Sequence, residues 1–182
     1  ELTGAQKKVI QEIKEDMAKN ISMNRLLQGD VGSGKTIVAI IATIIAVSNG
    51  VQVAIMAPTE ILAQQHYNSF TKQLNKARIN CALLVGKQKS AERKKILSAI
   101  KNGMVNVVMG THALIQKDVK FNNLGFVVID EQHRFGVVQR RDLFEKGLHP
   151  HLLAMTATPI PRTMAITYHG DMDLSIIDEM PE

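Results

Sequence analysis

A glycine-rich stretch near the start of the chain has the residue types and spacing of a phosphate-binding loop. Glycines let the backbone turn tightly and aim several N–H groups at one point, toward which the positive end of a following helix is also directed. Lys35 can then reach the β- and γ-phosphates of a nucleotide, and Thr36 can ligate Mg²⁺. A chance glycine-rich turn is the alternative, but an apolar strand at Arg25–Leu27 and a helix beginning at Lys35 supply the required context. The predicted phosphate-binding residues are Gly29, Asp30, Val31, Gly32, Ser33, Gly34, Lys35 and Thr36.

Two acids follow a second apolar strand, Val127–Ile129. In a parallel sheet the ligand site lies outside the carboxyl ends of the strands, so this position places both acids beside the phosphate-binding loop. Asp130 is predicted to hold Mg²⁺, directly or through water, and Glu131 to orient and deprotonate the water that attacks the γ-phosphate. An exposed acidic turn is the alternative. The two motifs together predict a site for nucleotide hydrolysis.

Apolar runs alternate with amphipathic ones along the whole chain, which predicts strands alternating with helices. Continuous apolar strands separated by helices imply a mostly parallel sheet with helices on both faces, an α/β doubly wound fold. Asn49-Gly50 and Asn102-Gly103 are predicted to end two of the helices. We expect one domain over residues 1–182. The predicted strands lie near Leu26 and at 51–57, 81–85, 105–109, 126–129, 152–155 and 174–177.

Bulk properties exclude several protein classes. The chain has 182 residues, 45% of them hydrophobic and 21% charged, which is an ordinary globular composition. The longest apolar run, Ile37–Val47, is too short to span a bilayer, so no membrane partner is expected. One cysteine, Cys81, excludes an internal disulfide and is predicted to be an inert core thiol in a reducing cytoplasm. The net charge of +5 fits a polyanionic partner and equally an ordinary basic protein.

Two further patterns have plain structural interpretations. The basic stretch Lys87–Lys95 is predicted to be the solvated face of a helix that begins around Ser90, with Ser90 as its N-cap. His149-Pro150-His151 has no further close Cys, His or Asp, so it predicts a turn before a strand and not a metal site.

Residues 130–133 are Asp-Glu-Gln-His, and with this motif the chain resembles the motor core of superfamily 2 helicases. Four other segments are similar to the motifs of that superfamily and occur in its order. They are the glutamine element Leu2–Gln6, motif Ia at Ala57–His66, motif Ib at Gly110–His112 and motif III at Met155–Pro159.

Within that superfamily the chain resembles the RecG family, whose bacterial members remodel branched DNA at stalled forks. This similarity covers essentially all residues and is most specific at Asp130–Gly136, Pro159–Thr163 and Ser175–Pro181. The transcription-repair coupling factor Mfd shares several of these features but usually has glutamate where this chain has Gln132. The resemblance therefore implies the first RecA-like motor lobe of an ATP-dependent DNA helicase.

The resemblance also implies roles for individual residues. Gln6 would clamp adenine through its amide, with a surface glutamine as the alternative. Gln132 and His133 would belong to the catalytic motif, and Thr156 and Thr158 would contact His133 to couple the γ-phosphate to closure of a second lobe. A histidine satisfied in the core and a capping glutamine are the alternatives for His133 and Gln132.

Four residues are expected to grip the backbone of a DNA strand without reading its bases: Thr59, Thr111, His112 and Arg162. Thr59 and Thr111 follow strands and precede helices, so each could offer hydroxyl and N–H groups to a phosphate. Helix capping is the alternative role for both. Aromatic residues make up only 4% of the chain, which argues against a base-stacking platform.

The expected partners are branched or forked DNA and two parts of the same parent chain, namely a second RecA-like lobe and an upstream wedge domain. ATP is the expected fuel and Mg²⁺ the expected metal. We expect the chain to be a piece of a longer protein that, without the arginines of the second lobe, binds nucleotide weakly and turns it over negligibly. The alternatives are a coupling translocase of the Mfd kind, a nucleotide-gated binding module and a P-loop kinase, although a kinase would leave motifs Ia, Ib and III unexplained.

Overall fold

A computed structural model describes residues 1–159, 161 and 172–180, and seven strands in that part of the chain form one sheet. Each of the seven predicted strands is present, with bounds that differ from the prediction by a few residues at most. The strands are β1 Asn24–Gly29, β2 Gln52–Met56, β3 Cys81–Leu84, β4 Val107–Gly110, β5 Leu124–Asp130, β6 His151–Thr156 and β7 Asp173–Ile177.

The strand order is β3-β4-β2-β5-β6-β1-β7, and every pairing between neighbours is parallel. Parallel neighbours need crossover connections, and helices supply most of them. The predicted fold class is confirmed. Because all the strands run in one direction, the loops that follow them meet along a single edge, which we call the carboxyl edge.

In the described part of the chain, five α-helices cover the two faces of the sheet: α1 Gly4–Ala18, α2 Lys35–Ser48, α3 Glu60–Leu74, α4 Ser90–Lys101 and α5 Val137–Phe144. Successive residues of a strand point to opposite faces, so Val53 and Ile55 pack with α1, α2 and α3, while Ala54 and Met56 pack with α4 and α5. Two apolar cores therefore hold the sheet rigidly from both sides, and the carboxyl edge has a fixed frame.

The helix ends agree with most of the sequence predictions. Asn49 and Asn102 are the C-caps of α2 and α4, and the glycines that follow them have φ values of 86° and 82°. A left-handed residue after a helix is usually glycine because it has no Cβ to clash. The predicted N-cap at Ser90 is wrong by one residue, since Lys89 holds the extended cap position and Ser90 is already helical.

Cys81 lies on the edge strand β3 and is half-buried, so the prediction of a core thiol is wrong in degree. A strand at the edge of a sheet has a neighbour on one side only, which leaves part of this side chain uncovered. Burial nevertheless raises the pKa of the thiol to about 11, against a smaller opposite effect of the nearby Thr71 hydroxyl. A thiol with so little thiolate near neutral pH is a poor nucleophile.

The turn predicted at residues 149–151 is present, and β6 begins at His151. The Nδ1 atom of His151 accepts a hydrogen bond from the Met23 amide at 2.8 Å. Burial lowers the pKa of the His151 imidazole, while the charge of Asp16 acts in the opposite direction. None of the helices in the described ranges is long and apolar enough to cross a bilayer.

A buried ionic cluster fastens α1 to β1 and β7. The Arg25 side chain donates from Nε to Asp16 at 2.8 Å and from Nη1 to Glu12 at 3.0 Å and Ser175 at 2.8 Å. Ser175 in turn donates to Glu12 at 3.1 Å. Arg25, Asp16 and Ser175 are all buried. Because buried charges are tolerated only when paired and hydrogen-bonded, this cluster depends on all its members.

Candidate active site

The strand order brings the predicted motifs together along the carboxyl edge. The phosphate-binding loop follows β1, the Asp130 motif ends β5, and β6 lies between these strands, with Thr156 in register with Gln28. Thr59 and Thr111 follow β2 and β4, which continue the edge on the other side of β5. The edge thus has a nucleotide half and a second half that carries the predicted DNA contacts.

The phosphate-binding loop has the backbone conformation that its glycines predict. Gly32 and Gly34 have φ values of 84° and 88°, in the left-handed region that other residues avoid. Gly34 is the N-cap of α2, so the loop delivers its backbone N–H groups to the positive end of that helix. Two features exclude a side chain at Gly34. Its φ value strains any other residue, and a Cβ atom at this position would overlap the Gln6 amide.

Lys35 lies at the junction of the loop and the acids of β5. Its Nζ atom donates to the carbonyl oxygens of Gly29 at 2.6 Å and Asp30 at 3.2 Å. Burial lowers the pKa of the ammonium group, whereas the nearby charges of Asp130 and Glu131 act to raise it. The structure therefore brings the loop lysine and both strand-end acids into one electrostatic environment, as the sequence predicts.

Asp130 and Glu131 differ in burial and backbone conformation. Asp130 is 8% exposed, and its Oδ1 atom accepts from the Glu131 amide at 2.9 Å. Glu131 has φ 50° and ψ 54°, which is uncommon for a residue other than glycine. Such conformations cluster at functional sites, where the surrounding structure enforces them. Here the turn leaves the Glu131 carboxylate partly exposed at the edge while Asp130 stays inside.

The residues present have suitable chemistry for Mg²⁺. Thr36 in the first turn of α2 and Asp130 at the end of β5 offer a hydroxyl and a carboxylate, the oxygen donors that this ion prefers. Mg²⁺ is usually bound by one or two protein groups together with substrate phosphates. The described residues contain no cluster of three or more His, Cys, Asp or Glu side chains that could hold a metal ion.

His66 contacts Asp130, and this contact was not predicted. The Nε2 atom of His66 lies 2.7 Å from Asp130 Oδ2, and both side chains are buried. The histidine belongs to motif Ia in the sequence, 64 positions from its partner. The sole signal in the sequence was that His66 falls on the same helical face as Phe70, which is buried in the core.

Gln6 is buried at 2% exposure, so the alternative of a surface glutamine is wrong. Its Oε1 accepts from the Thr3 amide at 2.9 Å and its Nε2 donates to the Ser33 carbonyl at 3.2 Å. The Thr3 hydroxyl caps the Gln6 amide in return, which completes a capping box at the start of α1. Gln6 therefore joins this helix to the phosphate-binding loop, and contact with adenine stays a prediction.

Gln132 and His133 form a short 3₁₀ helix after β5 with Arg134. Gln132 is buried and its Nε2 lies 3.7 Å from the Met172 sulfur. His133 is half-exposed, and its Nδ1 lies 3.5 Å from the Glu131 carboxylate, so the alternative of a core histidine is wrong. This position brings the imidazole next to the predicted catalytic acid.

Motif III lies between the two nucleotide motifs, at the end of β6. The Thr156 hydroxyl is buried and accepts from the Thr158 amide at 3.1 Å. Among the described residues, neither threonine has a hydrogen bond to His133, whose ion-pair partner is Glu131. The coupling role of Thr156 and Thr158 stays a prediction.

Three of the four predicted DNA contacts, Thr59, Thr111 and His112, lie on one half of the edge. Thr59 caps α3 by accepting from the Leu62 amide at 3.2 Å. Thr111 caps a short 3₁₀ helix, His112–Ile115, by accepting from Ala113 at 3.5 Å. His112 is exposed, with its ring 5.3 Å from that of Phe135. Both threonines therefore cap helices, and their contact with DNA stays a prediction. Arg162 lies outside the described residues.

A family model provides the assignment to which this arrangement points. Residues 3–166 match the model of the DEAD/DEAH box helicase. The chain belongs to this family. The phosphate-binding loop, the strand-end acids and the segments predicted to be motifs Ia, Ib and III all lie within the matched range.

The RecG resemblance within the family is confirmed by individual relatives. The chain is 57% identical over 182 residues to the ATP-dependent DNA helicase RecG of Aquifex aeolicus and 54% identical over 183 residues to that of Escherichia coli K12. These alignments cover 99% and 98% of the chain but only 23% and 26% of the relatives. The chain thus spans about a quarter of the length of these relatives.

Solved structures agree with both the family and the fold. A structure of RecG bound to a three-way DNA junction superposes with a TM-score of 0.88 and 52% identity, covering all of this chain and 24% of that one. The Hef helicase domain of Pyrococcus furiosus matches with a TM-score of 0.70 at 21% identity, covering 96% of this chain and 38% of that one. This second likeness shows that the helicase lobe fold persists where most of the sequence differs.

Proposed function

We propose that this chain is the ATP-binding motor lobe of a DNA helicase or translocase that remodels branched DNA, such as stalled forks and junctions, in repair and recombination. The observation that supports this most strongly is the carboxyl edge, where Lys35, Asp130 and Glu131 share one half and Thr59 and Thr111 the other. ATP is the proposed fuel, Mg²⁺ the proposed metal and the cytoplasm the proposed compartment.

In this proposal each residue of the nucleotide half has one task. Lys35 exchanges its bonds to the Gly29 and Asp30 carbonyls for the β- and γ-phosphates, which the loop amides also hold. Glu131 orients the attacking water and takes its proton. Thr36 and Asp130 would hold Mg²⁺, which when bound neutralises charge on the β- and γ-phosphates.

The residues around this centre would sense whether the γ-phosphate is present. Gln6 touches both α1 and the phosphate-binding loop, so a bound adenine would influence the loop through it. His133 lies beside Glu131 and close in sequence to Gln132, and we propose that it exchanges this partner for Thr156 or Thr158 when the second lobe closes.

The DNA half would bind phosphates without reading bases, as a motor that passes any sequence requires. Thr59, Thr111, His112 and Arg162 are the proposed contacts, with helix N-termini contributing N–H groups. The second lobe and the wedge domain of the parent chain are the other proposed parts of the helicase. Arginines from a partner domain accelerate nucleotide hydrolysis by about 10³ to 10⁵ in other systems, so the 182 residues alone should hydrolyse ATP negligibly.

The proposal is tested by steady-state ATP hydrolysis of the full parent chain with a model fork, a linear duplex or a single strand. Stimulation that is greatest with the fork is expected. Glu131→Gln should lower the stimulated rate by about 10² to 10⁴, the range for loss of a general base. Glu145→Gln is the matched control, because that carboxylate is exposed and its ion-pair partner among the described residues is Arg141 at 3.8 Å.

Other outcomes would change the conclusion in defined ways. Equal stimulation by fork and linear duplex would replace the branched-DNA proposal with a duplex translocase of the Mfd kind. A rate that no DNA affects would contradict the motor function and favour a nucleotide-gated binding module. A fast ATPase of the isolated 182 residues would contradict the requirement for a second lobe.

A further inference from the structure

A buried histidine holds one oxygen of the proposed Mg²⁺ ligand. The distance from His66 Nε2 to Asp130 Oδ2 is 2.7 Å, and the exposures of the two residues are 9% and 8%. An ionised carboxylate can only accept hydrogen bonds, so the imidazole donates its Nε2–H. The other oxygen of Asp130, Oδ1, accepts from the Glu131 amide at 2.9 Å. Both ends of the carboxylate are therefore held, which determines the rotation of its plane.

The imidazole itself is immobilised by the core. Its ring stands at 87° to the Phe70 ring with centroids 6.0 Å apart, an edge-to-face arrangement. Phe70 is fully buried beneath the sheet-facing side of α3. A donor that is packed in this way has little freedom to move, so the orientation of the Asp130 carboxylate is determined before any ligand binds.

The two hydrogen bonds leave the Asp130 carboxylate able to ligate a metal ion. Each carboxylate oxygen has two lone-pair sites, and one site on each oxygen is used, so one on each remains for a metal ion or its water. Carboxylates that ligate metals are commonly hydrogen-bonded in this way by outer residues, and loss of such a partner typically costs 10 to 100-fold in metal affinity or activity.

His66 also connects the two halves of the carboxyl edge. The histidine lies seven positions after Thr59, the N-cap of α3, which is about 10 Å along the helix axis at 1.5 Å per residue. A rigid helix therefore begins at a proposed DNA contact and bonds to the acid of the nucleotide half. The first half of α3 and the end of β5 must therefore shift together or break this hydrogen bond.

We propose that His66 is a positioning residue that orients the Asp130 carboxylate for Mg²⁺ and joins it to α3. This inference rests on the proposed function, because it assumes that Asp130 holds Mg²⁺ beside a nucleotide. It assigns His66 no contact with substrate. Its effect is on the contribution of the metal to nucleotide binding, and not on the contacts of the loop with phosphate.

The test is calorimetric binding of ADP to the full parent chain, with MgCl₂ and with excess EDTA. The quantity of interest is the ratio of the two affinities, because a general loss of stability cancels within each variant. His66→Ala should lower this ratio by about 10 to 100-fold relative to the unchanged chain. His66→Asn should do the same, because its amide extends only as far as Nδ1 and falls short of Asp130.

Two variants should leave the ratio close to that of the unchanged chain. His66→Gln carries its amide nitrogen at nearly the position of Nε2 and can restore the donor. His149→Ala removes an exposed histidine at the opposite edge of the sheet and is the control for loss of an imidazole. Rescue by glutamine but not by asparagine would separate positioning from simple packing.

The failures of the two proposals are distinguishable. A ratio in His66→Ala and His66→Asn equal to that of the unchanged chain would overturn the role of His66 and leave the proposed function intact. An equal reduction in His66→Gln and His66→Ala would also overturn it, because packing and not donation would then be responsible. If the unchanged chain shows no Mg²⁺ dependence, or binds ADP as tightly after Lys35→Ala, the proposed function itself fails.

Discussion

Two regions of this molecule bury charged groups, and they do so in opposite ways. In the cluster beneath α1, Arg25 donates to Asp16, Glu12 and Ser175, and Ser175 closes the ring by donating to Glu12. The bonding groups of this cluster satisfy one another. Its role is to hold α1 against β1 and β7.

At the carboxyl edge, the described structure positions the side chains of Lys35, Asp130 and Glu131 without direct hydrogen bonds between these three side chains. Within the described residues, the hydrogen bonds of Lys35 go to carbonyl oxygens of its own loop, and Glu131 remains partly exposed at a left-handed turn. Asp130 has two hydrogen bonds and further acceptor capacity. The comparison teaches that a closed set of charges stabilises a fold, whereas a positioned but open set can bind a ligand. Four substitutions or conditions would break or sharpen this distinction.

The largest effect on stability should come from the closed cluster. Arg25→Ala leaves Asp16 buried without its partner, and such a loss typically costs about 3 to 5 kcal/mol. We expect this cost in the unfolding free energy of the lobe, measured by hydrogen exchange of α1 and β1 amides in the parent chain. Arg141→Ala, which breaks an exposed pair with Glu145, should cost less than about 0.5 kcal/mol. Equal costs for the two variants would contradict the view that burial makes the cluster structural.

At the carboxyl edge, a substitution should lower activity strongly and stability little. Lys35→Ala removes a donor aimed at the transferring phosphate, so the DNA-stimulated ATPase rate should fall by about 10² to 10³. The same hydrogen exchange should show little change, because only two carbonyls of its own loop lose a partner. A large loss of exchange protection in α2 with a normal ATPase rate would show that Lys35 stabilises the fold and would contradict its proposed role in binding phosphate.

A smaller effect is expected at Thr59, which caps α3 and is also a proposed DNA contact. Thr59→Ala removes the cap of α3 and should cost the helix about 1 kcal/mol, measured by exchange of its first-turn amides. Thr59→Ser keeps the hydroxyl and should restore both this stability and the DNA concentration needed for half-maximal ATPase stimulation. If DNA stimulation is unaffected in the alanine variant, Thr59 acts only as a helix cap and is not a DNA contact.

The smallest effect is a pH dependence at His151, away from the carboxyl edge. Burial lowers the pKa of this imidazole in the folded state, so the unfolded chain binds more protons below the usual value of 6.5. Folding stability should therefore fall as the pH drops from 7 to 5. Protonation of Nδ1 also removes the acceptor for the Met23 amide, a bond worth about 1 kcal/mol.

The control for this dependence is His151→Asn, whose Oδ1 can accept from Met23 at any pH. The slope of stability against pH between 5 and 7 should be shallower in this variant than in the unchanged chain. An identical slope would assign the dependence to other groups and remove His151 from the structural set.

Sequence patterns were sufficient for the strands because each is a run of apolar residues that two helical layers cover. They were also sufficient for the loop at Gly32 and Gly34, since few residues other than glycine adopt φ values near 85°. They were insufficient for His66, because its partner lies 64 positions away. No periodicity relates α3 to the end of β5, and only the pairing of β2 with β5 brings them together.

The sequence by itself determined the parallel α/β fold, the phosphate-binding loop and the order of the helicase motifs, because each depends on residues that are close along the chain. Tertiary structure alone decided that Gln6 reaches Ser33, that His66 orients Asp130 and that Arg25 closes a buried cluster. Each of these contacts joins elements whose separation in space depends on the whole sheet. Local propensity contains no information about such distances, so only the folded chain can specify which polar groups satisfy each other and which stay available for a ligand.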